Sequence, residues 1–208
     1  MISAISAAAM ALSLISPVSA AAAADTNPPD RITVDVVTVN GSGCRPGTAA
    51  VAVSPDNSAF TVTYSDFLAQ AGTGTAATDF RKNCQLGLRI NIPQGFTYGI
   101  ASADYRGYAN LKRNATGVQK ASYYFQGHSA TGSRTHTFYG PTDDNWQATD
   151  TTEVSEIVYQ PCGEKRIFNV NAEVRVMAKA DAPTSFMTMD SIDGGVNTIY
   201  HFSWKTCP

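Results

Sequence analysis

The segment Ile167–Met177 alternates apolar and polar residues along its length, and this pattern constrains the fold more than any other feature of the chain. Successive side chains of a β-strand point to opposite faces of a sheet, so period-two alternation predicts a strand with one buried face. A second alternating segment, Thr198–Lys205, lies near the end of the chain. The residues that share the buried face are Phe168, Val170, Ala172, Val174 and Val176 in the first segment, and Thr198, Tyr200, Phe202 and Trp204 in the second.

Short strand-like segments recur along the rest of the chain, separated by turn residues. Ala49–Val53 and Phe60–Tyr64 flank a Ser-Pro-Asp-Asn-Ser turn, which predicts a β-hairpin. Cys84–Ile92 alternates apolar and polar residues as regularly as Ile167–Met177 does. The Pro-Gln-Gly turn at residues 93–95 follows it and predicts a second hairpin, whose return strand begins at Phe96. About ten strands with almost no helical periodicity predict an all-β antiparallel β-sandwich, with a closed β-barrel as the alternative.

Two segments without alternation are predicted to be loops. Ser65–Asn83 is rich in Gly, Ala and Thr, and within it Asp66–Gln70 is long enough for one helical turn at most. Gly140–Trp146 combines glycine and proline with Asp and Asn, which are typical turn residues.

Four cysteines in the chain fit two disulfide bonds better than thiol chemistry. No CxxC motif is present, so a zinc or redox site has no support. Four cysteines allow three pairings. We expect Cys44 with Cys84 and Cys162 with Cys207, because each bond would join the ends of strongly strand-like segments.

The first 24 residues are apolar and small, carry no charge, and end in an alanine-rich stretch before Asp25. This composition predicts a secretory signal peptide over residues 1–24, with cleavage after Ala20 or Ala24. The run is interrupted by Ser and Pro17 and is short for a membrane span, which requires about 20 apolar residues. We therefore expect an extracellular protein whose mature part, residues 25–208, is one β-sandwich domain.

Composition narrows the classes of function. A hydrophobic content of 43% with 9 Phe, 9 Tyr and 2 Trp is enough to fill a sandwich core. A formal net charge of −2 gives no sign of a surface built for nucleic acid or for an anionic membrane. We expect a monomer that binds no nucleic acid and, once the signal is removed, no membrane.

Several segments resemble a known family of small secreted proteins from filamentous actinobacteria and fungi, catalogued only as a domain of unknown function. These segments are VTVNGSGC, PDNSAFTVTYSDF, DFRKNCQL, PQGFTYGIASADYRGYA and SFMTMDSIDGGVNTIYHFSWKTC. The resemblance runs from about Pro28 to Cys207. It implies secretion, disulfide bonds and a β-rich fold, and it supplies no activity, cofactor or catalytic residue.

Metal and cofactor chemistry has little support in the sequence, and we expect no cofactor. The three histidines, His128, His136 and His201, are far apart and form no HExxH or HxH motif. Asp143, Asp144 and Asn145 could hold calcium through oxygen ligands, but the spacing of an EF-hand is absent. Asp and Asn also cap turns through their own backbone, which is the more frequent role of such a cluster.

Three functions remain open. The middle of the chain is rich in aromatic residues beside polar ones, which favours a non-catalytic binding protein for extracellular polysaccharide or for another secreted protein. A secreted hydrolase that uses paired carboxylates is the alternative, and a proteinase inhibitor with an exposed loop, Gly140–Trp146 or Gly72–Asp79, is a third. The candidate ligand-binding residues are Tyr105, Tyr108, Tyr124 and Trp146, and the candidate carboxylates are Asp66, Asp79, Asp104, Glu153, Glu156 and Glu173. No catalytic residue is assigned.

Overall fold

The computed structural model describes residues 27–129, 132–153, 156–189 and 198–208, which form two antiparallel β-sheets packed face to face. The predicted signal peptide lies outside the described residues. The strands are β1 (Thr33–Asn40), β2 (Ala49–Val53), β3 (Ala59–Tyr64), β4 (Leu68–Ala71), β5 (Arg81–Asn91), β6 (Phe96–Leu111), β7 (Thr116–Phe125), β8 (Gly132–Tyr139), β9 (Thr142–Thr151), β10 (Phe168–Met177), β11 (Ser185–Thr188) and β12 (Thr198–Thr206).

The five-stranded sheet has the order β1-β5-β10-β7-β8. The seven-stranded sheet has the order β2-β3-β12-β6-β11-β4, and β9 pairs with the free side of β6. The two sheets stay separate and do not close into a barrel, so the sandwich prediction is confirmed. No helix among the described residues is long and apolar enough to cross a membrane.

One predicted hairpin is confirmed and another is wrong. β2 and β3 pair as predicted, with Val51 opposite Val62. β5 and β6 are consecutive but belong to different sheets, so the turn at residues 93–95, with Gly95 at a positive φ, carries the chain across the sandwich. β5 pairs instead with β1 and β10, and β10 lies at the centre of its sheet.

Both predicted loops contain strands. The segment Ser65–Asn83 includes β4 and the start of β5, and residues 66–70 form no helical turn. The segment Gly140–Trp146 is mostly the first half of β9, which pairs with β6. Pairing overrides weak local propensity in both segments: β4 pairs with β11, and β9 pairs with β6. An edge strand gains its hydrogen bonds from the neighbouring strand and needs little from its own pattern.

Aromatic side chains fill the space between the sheets. Phe60 of β3 stacks on Tyr200 of β12, with ring centroids 5.0 Å apart, and meets Phe168 of β10 edge-on at 6.4 Å. Edge-to-face and offset pairs of this kind add to the stabilisation that burial provides. Contacts of this type hold the five-stranded sheet against the seven-stranded one, and they bury the apolar half of the alternating strands.

Both predicted disulfide bonds are confirmed. Cys44, which lies between β1 and β2, bonds Cys84 of β5. Cys207, just after β12, bonds Cys162 in the segment that leads into β10. The second bond therefore ties the end of a strand in the seven-stranded sheet to the segment that enters the five-stranded sheet.

Candidate functional site

The structure separates the four predicted ligand-binding aromatic residues into core and surface positions. Tyr105 is 0% exposed and Trp146 is 5% exposed, so the prediction that they belong to a binding surface is wrong. Tyr108 and Tyr124 are partly exposed and lie on opposite outer faces, Tyr108 on the seven-stranded sheet and Tyr124 on the five-stranded sheet. Each outer face therefore carries one of the four predicted aromatic side chains at least partly exposed.

Polar side chains of three neighbouring strands form two rows on the outer face of the five-stranded sheet. Residues that lie opposite each other on paired strands have their side chains side by side. Written from β5 through β10 to β7, the rows are Asn83–Glu173–Lys120 and Gln85–Asn171–Ser122. The next row, Gly87–Asn169–Tyr124, places the aromatic ring on the same face.

These rows line a shallow depression of about 310 Å³ whose walls also include Arg81. We call it the polar pocket. Side chains on continuous strands are held more precisely than those on loops, which favours ligand binding at such a position. Larger depressions beside residues 27–31 and 160–165 are lined mainly by the N-terminal segment and by loops.

A network of ion pairs holds one wall of the polar pocket. Glu173 is 9% exposed, and its carboxylate accepts hydrogen bonds from Arg81 Nε at 2.7 Å and Arg175 Nη2 at 2.6 Å. Burial raises the pKa of Glu173, but the hydrogen bonds and charges of the two arginines outweigh burial and lower it below its ordinary value. Glu173 is therefore ionised at neutral pH and fixes both guanidinium groups.

The floor of the polar pocket consists of groups that are free to bind a ligand. Within the described part of the chain, Gln85, Lys120, Ser122 and Asn171 make no side-chain hydrogen bond and no ion pair. Tyr124, one row away, packs against no other aromatic ring there. The pocket thus combines amide, hydroxyl, ammonium and aromatic groups, all with unused binding capacity.

The outer face of the seven-stranded sheet uses its polar groups internally. The Tyr108 hydroxyl donates to Asp143 Oδ1 at 2.5 Å, Asn110 Nδ2 donates to the same oxygen at 2.6 Å, and the Tyr108 ring stacks on Phe186 at 6.0 Å. The bond to Asp143 raises the pKa of Tyr108, and the Tyr108 hydroxyl lowers the pKa of Asp143. Because these groups satisfy one another, they offer less to a ligand than the polar pocket does.

Two histidine–aspartate pairs lie at the seven-stranded sheet. His201 Nε2 is 2.8 Å from Asp104 Oδ2, and Thr149 donates to the other Asp104 oxygen at 2.6 Å. His136 of β8 is 2.7 Å from Asp150 of β9, which is 3% exposed, so this pair joins the edges of the two sheets. His128 contacts the Phe125 ring edge-on.

The described residues contain no group of three or more His, Cys, Asp or Glu side chains arranged to hold a metal ion. Asp143 and Asp144 are consecutive residues of β9, and consecutive strand residues point to opposite faces. Asp143 is occupied by Tyr108 and Asn110, and an Asp144 oxygen accepts the backbone N–H of Asn145. This arrangement does not favour the calcium alternative.

Four of the six candidate carboxylates, Asp66, Asp79, Asp104 and Glu173, are paired with cations or hydrogen-bond donors. Asp66 bonds Arg45, and Asp79 bonds Lys82, whose hydrogen bond lowers the pKa of Asp79. Burial raises the pKa of Asp104, but Thr149 and His201 outweigh burial and lower it. A general acid needs a raised pKa, so these contacts do not favour hydrolysis by paired carboxylates.

Sequence reasoning did not identify the residues of the polar pocket, although it did name Glu173 as a carboxylate. The signal was present in the polar half of the alternating segment Ile167–Met177, which holds two asparagines, a glutamate and an arginine. Their cross-strand neighbours could not be assigned without the strand order, which only the structure supplies.

Comparisons with known proteins identify the family. The chain matches the family model described as Domain of unknown function (DUF4360) over residues 30–207. A relative from the fungus Arthroderma benhamiae, named "Uncharacterized secreted protein", is 36% identical over 179 residues, which cover 86% of this chain and 73% of the relative.

A solved structure, the enzymatically active domain of bacteriophage CBA120 tailspike protein 4, covers 85% of this chain and only 19% of its own, with 9% identity and a TM-score of 0.26. A similarity that low carries no conclusion about fold or function. The fungal relative and the two disulfide bonds identify the chain as a secreted protein. The match of the family model to nearly all of the described residues shows that the chain belongs to the DUF4360 family.

Proposed function

We propose that the protein is a monomeric, non-catalytic secreted protein that binds extracellular polysaccharide on the outer face of its five-stranded sheet. The observation that carries the proposal is the polar pocket, in which unpaired amide and hydroxyl side chains lie one row from the free ring of Tyr124. The polar pocket is a depression on continuous strands, and four of the side chains that line it, Gln85, Lys120, Ser122 and Asn171, are free to bind a ligand.

The chemistry of these groups matches that of a sugar. An amide both donates and accepts hydrogen bonds, as sugar hydroxyls do, and Gln85 and Asn171 lie side by side to meet neighbouring hydroxyls. The ring of Tyr124 offers an apolar surface for the C–H face of a sugar and a polar tip. Side chains on one face of a strand repeat every two residues, about 7 Å apart. The three rows therefore cover about 14 Å along the strand direction, over which an extended sugar chain can lie.

Co-sedimentation with insoluble chitin, cellulose and peptidoglycan tests the proposal. The wild type should be retained on at least one of them, and Asn171→Ala and Tyr124→Ala should each reduce retention because they remove a hydrogen-bonding group and a stacking surface. Tyr108→Ala is the matched control, since it removes an aromatic side chain from the opposite sheet and should leave retention unchanged.

Three results would contradict the proposal. Absence of retention on every polymer would remove polysaccharide as the ligand. Loss of retention in Tyr108→Ala with normal retention in Tyr124→Ala would transfer the site to the seven-stranded sheet. Inhibition of a secreted protease by the wild type would instead favour the proteinase-inhibitor hypothesis, for which residues 72–79 remain a surface loop.

A further inference from the structure

We infer that the polysaccharide bound in the polar pocket is acidic, with carboxylate or sulfate groups that lie against Lys120 and the two arginines of the pocket wall. The inference rests on the proposed function and specifies its ligand. It starts from the charges that the fold collects at this position, which the net charge of the chain does not predict.

The side chains around the pocket wall carry more positive charges than negative ones. Arg81, Arg175 and Lys120 surround the single carboxylate of Glu173, which leaves an excess of two positive charges. The chain as a whole carries a formal charge of −2, so this patch is a local feature and not a consequence of a basic protein. A local excess of positive charge of this kind favours an anionic ligand.

Other charged residues on this face do not cancel the excess. Moving along β5 away from the pocket, the next charged residue on the outer face is Arg89, opposite Asp35 of β1, beyond the uncharged row that contains Gly87. Towards β8, the cross-strand neighbours of Lys120 and Ser122 are Thr135 and Ser133, which are uncharged. Among their described cross-strand neighbours, the cations of the pocket therefore face no second carboxylate, and Asp79, two residues before Arg81, is paired with Lys82.

Unsatisfied donors remain after the ion pairs have formed. Glu173 uses both of its oxygens, one for each arginine, and Arg175 Nε is buried without a hydrogen-bond partner among the residues that the structure describes. Lys120 forms no ion pair within the described part of the chain, although Glu173 lies opposite it on β10. Lys120 is exposed, so an oxyanion beside it can supply the acceptor that it lacks.

The arrangement suits an anionic sugar better than an isolated anion. The arginine fork recognises the planar oxygens of a carboxylate, while the row Gln85–Asn171–Ser122 can bind hydroxyl groups of the same or the next sugar unit. Because the charged row and the amide row are neighbours, a polymer that carries an anion on each unit can meet both. A neutral polymer would leave the excess charge without a partner.

Affinity measurements with soluble polymers test the inference. Polygalacturonate and dextran sulfate supply carboxylate and sulfate on a sugar chain, dextran supplies a neutral sugar chain, and polyglutamate supplies carboxylate without sugar. We expect the wild type to bind at least one of the acidic polysaccharides and to bind dextran and polyglutamate much more weakly. Whichever acidic polysaccharide the wild type binds more tightly shows whether the site prefers carboxylate or sulfate groups.

Two variants locate the charge effect. Lys120→Gln should weaken binding of the acidic polysaccharide by about tenfold, because it removes one charge-assisted contact. Asn171→Asp, which changes no side-chain volume and adds a carboxylate to the pocket, should weaken it at least as much. Arg106→Gln is the matched control: it removes the same charge from the exposed face of the seven-stranded sheet and should change the affinity less than twofold.

The outcomes separate this inference from the proposed function. Equal loss in Lys120→Gln and Arg106→Gln would show a general charge effect and overturn the inference, as would equally tight binding of polyglutamate. Binding of a neutral polymer that depends on Tyr124 but not on Lys120 would overturn the acidic ligand and leave the proposed function standing. Absence of binding to every polysaccharide would overturn both.

Discussion

The carboxylate of Glu173 offers the sharpest test of how this fold is held together, because Glu173→Gln should lower stability while it strengthens binding of an acidic polymer. Glutamine has nearly the same shape as glutamate, so the substitution removes charge without opening a cavity. It removes the negative charge and one of the two acceptor oxygens, so one guanidinium group faces an amide NH2, and it leaves Arg81, Arg175 and Lys120 facing one another. These changes act in opposite directions on folding and on ligand binding.

The size of the stability loss follows from the exposure of the partners. A hydrogen bond to a charged group in a buried position contributes about 1.5–3 kcal/mol. The side chains of Arg81 and Arg175 are 48% and 39% exposed, so solvent screens each interaction towards the value of a surface pair, about 0.2–1 kcal/mol. Two such interactions, with the repulsion left among the cations, give an expected loss of about 1–2 kcal/mol in the free energy of unfolding.

The pH dependence provides a second, independent check. The pKa of Glu173 in the folded protein lies below its ordinary value of 4.5, so its ionised form stabilises the fold. That contribution is fully present above about pH 4.5 and is lost as the pH falls through the folded pKa. The difference in stability between the wild type and Glu173→Gln should therefore be constant near neutrality and shrink in acid.

Urea denaturation at neutral and acid pH measures both effects. Asp66→Asn is the matched control, because it removes the carboxylate of an ion pair whose side chains are 75% and 46% exposed and should cost about 0.5 kcal/mol or less. Equal stability of Glu173→Gln and the wild type at pH 7, or a difference that does not change with pH, would refute the reasoning.

Three further substitutions test the core. Replacing Cys162 and Cys207 with alanine opens a loop with a sequence separation of 45 and should cost about 4 kcal/mol in the chain-entropy model, as measured by calorimetry; a loss below 1 kcal/mol would contradict this. Tyr64→Phe should leave the melting temperature unchanged or raise it, because the buried hydroxyl has no hydrogen-bond partner, and a clear decrease would reveal one. Gly107→Ala should lower the melting temperature by several degrees, since its Cβ would lie 2.1 Å from the backbone oxygen of Thr188 and 2.7 Å from the Trp146 ring. An unchanged value would contradict this, because both β11 and the ring would have to move without cost.

Period-two alternation predicts strands and their buried faces well, and it predicts their neighbours poorly. Ile167–Met177 was assigned as a half-buried strand and is β10, with Val170, Val174 and Val176 fully buried. The return from Cys84–Ile92 through Phe96 was assigned as a hairpin because a Pro-Gln-Gly turn joins two alternating segments. Alternation is the same whether the next strand pairs with its predecessor or crosses to the facing sheet, so local sequence could not separate these cases.

Only part of the candidate site could be predicted from the sequence. Of the two aromatic residues correctly expected at the surface, Tyr124 lies beside the polar pocket and Tyr108 lies on the opposite sheet. Tyr105 and Trp146 occur in an equally polar stretch of sequence but point into the sandwich. Which face a tyrosine occupies depends on its parity within a strand, and parity becomes known only when the buried face of that strand is known.

Core and site in this protein are the two halves of one pattern. The alternation that directs Val170, Ala172 and Val174 into the sandwich also directs Asn171 and Glu173 outward, where the pairing of β10 with β5 and β7 brings their neighbours beside them. A shift of one residue in the register of β10 would bury both polar side chains and expose the valines. Because burial of the valines prevents that shift, the hydrophobic core also fixes the positions of the amide and charged groups that we propose bind the polysaccharide.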